Sequence, residues 1–208
     1  MKYLKNNRIF GTLFALSSVL MAVACFTITN TFSYPEQVSQ AKRWSVSIKD
    51  VKTNNEGNKV NVVNDKMDLS ITLGDFGEYM AVNSSVVNDG NFNALLSKVE
   101  LTDISNIKVG TSEETGRTYY LSDYVDISLK YAKDNKTNGI ESGANVASGD
   151  LLNKYTKNEV VVSVKYKEQS DLTEDEVVVL KQNIQGEAGK YPLQFSLSVG
   201  YNYIENTL

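Results

Sequence analysis

The chain has 208 residues, 25 of them acidic and 21 basic, with no histidine and a single cysteine. Without imidazole there is no histidine general base, no histidine-assisted nucleophile and no zinc site of the nitrogen-ligated kind. Every acidic residue lies at or beyond Glu36, and with 18 basic residues beyond Arg8 the remainder carries a net charge of −7, which argues against nucleic acid as a partner.

Lys2, Lys5 and Arg8 precede an uncharged, largely apolar run over residues 9–28, the length a helix needs to cross hydrocarbon. Positive charge ahead of such a run keeps the amino terminus inside and exports the chain beyond it. Residues 1–29 are therefore read as a signal or transmembrane helix. Its residues allow three fates: cleavage after Ala22-Val23-Ala24, retention as a membrane anchor, or lipid attachment at Cys25. Residues 30–40 are polar, contain Pro35 and form a tether, and residues 41–208 make one domain. Because Cys25 lies inside the apolar run, that domain has no disulfide and no thiol nucleophile.

Beyond the tether the hydrophobic period becomes two, the mark of strands with one buried face. Arg43 opens a first strand in which Trp44, Val46 and Ile48 face a core. Met67, Leu69, Ile71 and Leu73 form a second run. Met80, Val82, Ser84 and Val86 lead to Asn88-Asp89-Gly90, after which Leu95, Ser97, Val99 and Leu101 alternate again. An Asp-Gly step between two such runs predicts a hairpin. Val125 to Tyr131, Val160 to Tyr166 and Phe195 to Tyr203 supply the remaining strands. Helix is expected only as two short excursions, a turn at Leu151 and Leu152 capped by Asp150, and a segment from Val177 to Gln182 behind a Thr173/Glu176 capping box. Residues 134–149, rich in Asn, Gly and Ser, are a long surface loop. At least seven antiparallel strands without a βαβ rhythm predict an all-β, two-sheet antiparallel sandwich, Ig-like or jelly-roll, with a closed barrel as the alternative.

Residues that could carry chemistry have plainer roles. Glu113-Glu114 and Glu174-Asp175-Glu176 are adjacent acids of the kind found solvated in loops or favoured in a helix's first turn. Asp134, Asn135, Asn138, Gly139 and Glu141 share the composition of a calcium loop, but Lys136 stands where an oxygen ligand is needed. Tyr119, Tyr120 and Tyr124 read as cross-strand partners rather than a sugar platform. Asn83 and Asn135 begin glycosylation sequons, which matter only in a host that uses them. No catalytic, metal-ligating or cofactor-binding residue is expected, and no enzyme activity.

The order of these pieces resembles the camelysin and TasA-type proteins of Gram-positive bacteria. The likeness rests on an amino-terminal hydrophobic segment and an early strand at Arg43, Trp44, Val46 and Ile48. It continues with the run from Met67 to the Gly74-Asp75 turn, and with Ser85-Val86-Val87 ending in the Asn88-Asp89-Gly90 turn. The resemblance implies export, an Ig-like or jelly-roll sandwich and, for some members, fibre formation in a biofilm matrix. Camelysin has been regarded as a surface metalloprotease, but this chain has neither histidine nor an HExxH motif, so that activity is not expected. The expected function is a cell-surface or matrix structural protein that donates its first strand to another copy or another surface protein. A membrane-anchored binding module presenting loops 113–120 and 134–149, and a secreted hydrolase, are the alternatives.

Overall fold

A computed structural model describes residues 43–54, 58–184, 186 and 189–206. The expected amino-terminal helix and tether lie outside the described residues. The chain divides into two units, Met1–Ala41 and Lys42–Leu208, and the second holds every strand and helix named here.

Alternation builds the core. In β3 (Lys66–Leu73) Met67, Leu69, Ile71 and Leu73 are buried while Lys66, Ser70 and Thr72 are exposed. The same rule holds in β10 (Thr156–Tyr166), where Val160, Val162, Val164 and Tyr166 point inward. One sheet consists, in order, of β1 (Val46–Thr53), β4 (Tyr79–Asn88), β10 and β8 (Val125–Tyr131). The other consists of β2 (Lys59–Val63), β3, β11 (Leu193–Glu205), β5 (Ala94–Leu101) and β9 (Leu151–Leu152). All pairings are antiparallel. Inward residues of both sheets form one hydrophobic cluster, so the all-β sandwich expected from the sequence is the fold. A small hairpin, β6 (Lys108–Thr111) with β7 (Thr118–Tyr120), leads into the single turn α1 (Leu121–Tyr124).

Four expectations are corrected. Asn88-Asp89-Gly90 does not close a hairpin, because β4 belongs to one sheet and β5 to the other. Asn88 continues the inward phase of β4, and its amide donates to the carbonyls of Phe92 (2.8 Å) and Leu152 (3.1 Å), turning the chain from one layer to the next. In β5 the buried residues are Ala94 and Leu96 rather than Leu95. A register shift between Asn202 and Tyr203 of β11 then resets the phase, and Val99 packs on the core while Leu101 stays 43% exposed. Leu151 and Leu152 form a strand against Leu95 and Ala94, since the Asp150 carboxylate accepts from Ala147 N and Tyr131 OH, each at 2.7 Å, instead of capping a helix. Trp44 lies before β1 and is 48% exposed, not core.

The predicted capping box does form. Thr173 Oγ1 accepts from Glu176 N and the Glu176 carboxylate accepts from Thr173 N (2.7 Å), starting α2 (Glu174–Asn183). Val177, Val179 and Leu180 are its buried face. The 134–149 segment is a surface loop, but a fastened one: Asn145 bridges Lys130, and Tyr131 N donates to Ala144 O (2.9 Å), so the loop covers part of the outer edge of β8.

Asp175 is less solvated than its acidic neighbours suggest. Its carboxylate accepts from Ser112 Oγ (2.6 Å), Tyr119 OH (2.8 Å) and Thr115 Oγ1 (2.9 Å), which ties the start of α2 to the β6–β7 hairpin. These bonds, that from Ser112 first, hold the carboxyl below the ordinary aspartate value, while the Asp175 bond raises the Tyr119 phenol. A lowered folded-state pKa means that the contribution is complete above the ordinary value and is lost as pH falls through the lower one. Asp175→Ala should therefore speed amide exchange in α2 and residues 112–119 already at neutral pH, leaving residues 160–166 unchanged. In the native chain the same loosening should appear only below the ordinary aspartate range. Leu197 is 0% exposed between the sheets, and Leu197→Ala should lower unfolding free energy by about 2–5 kcal/mol in denaturant titration.

Candidate functional site: the amino-terminal strand and its clasp

β1 is an edge strand. Among the described residues it pairs only with β4, and Ile48 is its one buried residue, with Val46 and Val51 packing partly on the core. Val46 stands opposite Asn88, Ile48 opposite Val86 and Lys49 opposite Ser85. Between Lys49 and Lys52 the register shifts, with Asp50 at φ 54°, a left-handed conformation that short polar side chains tolerate. A bulge at a sheet edge kinks the strand and discourages pairing with a wrong neighbour. A second fastening comes from the other sheet, where Ile48 N donates to Asn64 O (2.7 Å) in the turn between β2 and β3.

Ahead of β1 the chain is gripped by the segment that comes after β4. Asp89 N donates to Ser45 O (2.9 Å) and Asn91 N to Arg43 O (3.1 Å), while Arg43 N donates to Asn91 Oδ1 (3.0 Å). Gly90 makes this approach possible. A Cβ there would lie 2.7 Å from Arg43 O and 3.0 Å from Ser45 N, closer than packed atoms allow. Asn88 Oδ1 accepts from Gly90 N (3.0 Å) and so shapes the turn from within. Lys49 and Asp89 add an ion pair, exposed and hence a small contribution.

The structure thus brings together Arg43, Val46, Ile48, Asn88 and Gly90, but not Gly74 and Asp75. Those two lie at the far end of β4, about 30 Å away at the rise of a strand. There the Glu78 carboxylate accepts from the amides of Gly74 and Asp75, and Asp75 Oδ1 accepts from Phe76 N (2.8 Å), which is turn chemistry alone. Trp44 sits beside the clasp with its ring half open to solvent.

The calcium-like loop has a mechanical use. Asn135 and Asn138 donate to Asn158 Oδ1 (3.0 and 2.6 Å), and Asn138 Oδ1 accepts from Asn153 N (3.1 Å). These amides fasten the loop to the start of β10. Among the described residues no group of three or more acidic or cysteine side chains could hold a metal ion. Nor is any of their helices long and apolar enough to cross a membrane.

Sequence reasoning missed Asn88 and Asn158 as structural amides, although both carry a signal. Each continues the inward phase of a valine-rich strand, and an inward amide must find partners. Comparison with known proteins gives no match to any family model, curated protein or solved structure.

Gly90→Ala should loosen the clasp at a cost of about 1–3 kcal/mol. Limited trypsin digestion should then cut faster after Arg43, Lys49 and Lys52, while cleavage after Lys165 stays slow.

Proposed function

We propose that the chain is an exported structural protein of the cell surface or its extracellular matrix that assembles by exchanging β1 between copies. The observation that carries this reading is that β1 is an amino-terminal strand which, among the described residues, pairs with β4 alone and fully buries one side chain, its other fastenings being mainly backbone bonds with Asn64, Asp89 and Asn91. Whatever releases β1 forfeits mainly backbone pairing, and a second copy restores it in the same register on an identical β4 edge. The Asn88–Asn91 segment is part of that receptor, because its bonds go to the Arg43 and Ser45 backbone and are reproduced with any copy of the strand. Such a contact is head-to-tail, and where the rotation does not close it propagates as a filament.

Export is supported by Lys2, Lys5 and Arg8 ahead of the uncharged run 9–28, and the resemblance to TasA-type proteins agrees with a matrix role. The partners are other copies of the chain or another surface protein; no nucleic acid is involved. No catalytic role is proposed. The loops that a binding module would present have other work, since 134–149 covers the β8 edge and residues 112–119 hold α2.

The test is a covalent lock. Ser47 and Val87 are direct cross-strand partners, so cysteines at both, in a Cys25→Ser background, should close a disulfide that holds β1 on its own domain. The oxidised variant should remain monomeric at concentrations where the native chain forms fibres by electron microscopy, and reduction should restore them. A native chain that stays monomeric at all concentrations, or a locked one that assembles as well as the native, refutes strand exchange.

A further inference from the structure

Tyr155 breaks a local rule. It holds φ 59° in the turn between β9 and β10, a conformation that costs a bulky residue about 1–2 kcal/mol and that glycine or asparagine adopts more readily. The turn is fixed by Thr156, whose amide (3.2 Å) and hydroxyl (2.7 Å) both donate to Asn153 O. The core gains little from the side chain in return, because Tyr155 is 66% exposed. A strained aromatic held out in solvent points to a use outside the fold.

Two more exposed apolar residues come to the same end of the sandwich. The short segment 91–93 gathers them: Asn91 exchanges two hydrogen bonds with Arg43, Asn93 Oδ1 accepts from Lys154 N (3.1 Å), and Asn93 O accepts from Asn206 N (2.8 Å). Trp44, Tyr155 and Ile204 each lie within two residues of one of those anchors, and Trp44 and Ile204 are 48% and 51% exposed. Arg43 and Lys154, both exposed, stand at this end together with exposed Glu205 and with Asp89, which pairs with Lys49.

This is also the end at which the chain enters. Only residues 29–42 separate the uncharged run from Arg43. Fourteen residues reach at most about 50 Å even when fully extended, and the longest of the described strands, β11, extends about 40 Å. With residues 9–28 in a bilayer, the Trp44 end is the part of the domain that the chain keeps within that reach.

We infer that this end of the domain rests in the headgroup layer of a lipid bilayer, with Trp44 and Tyr155 as interfacial aromatics, Ile204 beside them, and Arg43 and Lys154 against lipid phosphates. The inference rests on the exported reading of the proposed function, taken with retention of residues 1–29 as a membrane anchor. Indole and phenol rings favour that layer because they bury an apolar body while keeping a polar atom wet. It accounts for an exposed tryptophan next to the tether and for a tyrosine where asparagine would cost less.

Trp44 is the only tryptophan in the chain, so it reports its own surroundings. The full chain would be reconstituted in phosphatidylcholine and phosphatidylglycerol vesicles, extracted with alkaline carbonate, and its fluorescence titrated with brominated lipid and with aqueous iodide. The expected result is carbonate-resistant protein whose Trp44 emission is blue-shifted and quenched at least about twofold by brominated lipid. Tyr155→Asn should leave thermal stability equal or higher and weaken that lipid quenching. Carbonate-resistant protein whose Trp44 is quenched by iodide and not by brominated lipid overturns the inference and leaves the tethered reading intact. Emission shielded from both quenchers and dependent on protein density assigns the surface to a second copy and equally overturns it. Release of the chain by carbonate defeats the tethered reading itself, and the inference with it.

Discussion

Asn88 is a polar side chain at a core position, and the amino-terminal end of the sandwich depends on how it is satisfied. It is 1% exposed, and a buried amide without partners costs several kcal/mol. Its donors reach the carbonyls of Phe92 and Leu152 and its oxygen takes the Gly90 amide. Those three bonds carry the chain from the first sheet to the second and draw the short β9 beside β5. They also leave the amides of Asp89 and Asn91 facing the backbone of Ser45 and Arg43. An apolar residue at position 88 would fill the space and lose the turn that grips β1.

That constraint produces an asymmetry in how the strands are held. β10 is flanked on both sides and buries Asn158, Val160, Val162, Val164 and Tyr166. Among the described residues β1 has one flanking strand, a bulge, a single buried residue and one backbone bond to Asn64 of the other sheet. Its attachment is mostly backbone hydrogen bonding, which any copy of the same strand can satisfy, whereas exchange of β10 would mean dismantling the core. The fold therefore places its most lightly held strand at the amino-terminal end of the sandwich and its most firmly held one at the centre of a sheet.

The strands that were legible in the sequence are those whose alternation runs unbroken between two layers, as in Met67 to Leu73 and Val160 to Tyr166. Misreadings arose where phase alone cannot say how far pairing extends. Trp44 is in step with Val46 and Ile48, yet the core ends at Val46. Asp89-Gly90 marks a tight turn, but turn chemistry does not record which sheet receives the next strand; the inward Asn88 does. Leu151 and Leu152 looked like a capped turn because Asp150 precedes them, and that carboxylate is taken by Tyr131. The hydroxyls gathered on Asp175 come from residues 56 to 63 positions away, and no local pattern announces such a convergence.

Strand exchange requires that β1 leave its own domain without unfolding it, and residue-resolved hydrogen–deuterium exchange on the native chain measures this most directly. The β1 amides bonded to β4 should exchange by local opening, faster than those of β10 and β11 by orders of magnitude, and Gly90→Ala should widen the gap. Protection of β1 equal to that of β10, lost only together with the core, would contradict strand exchange.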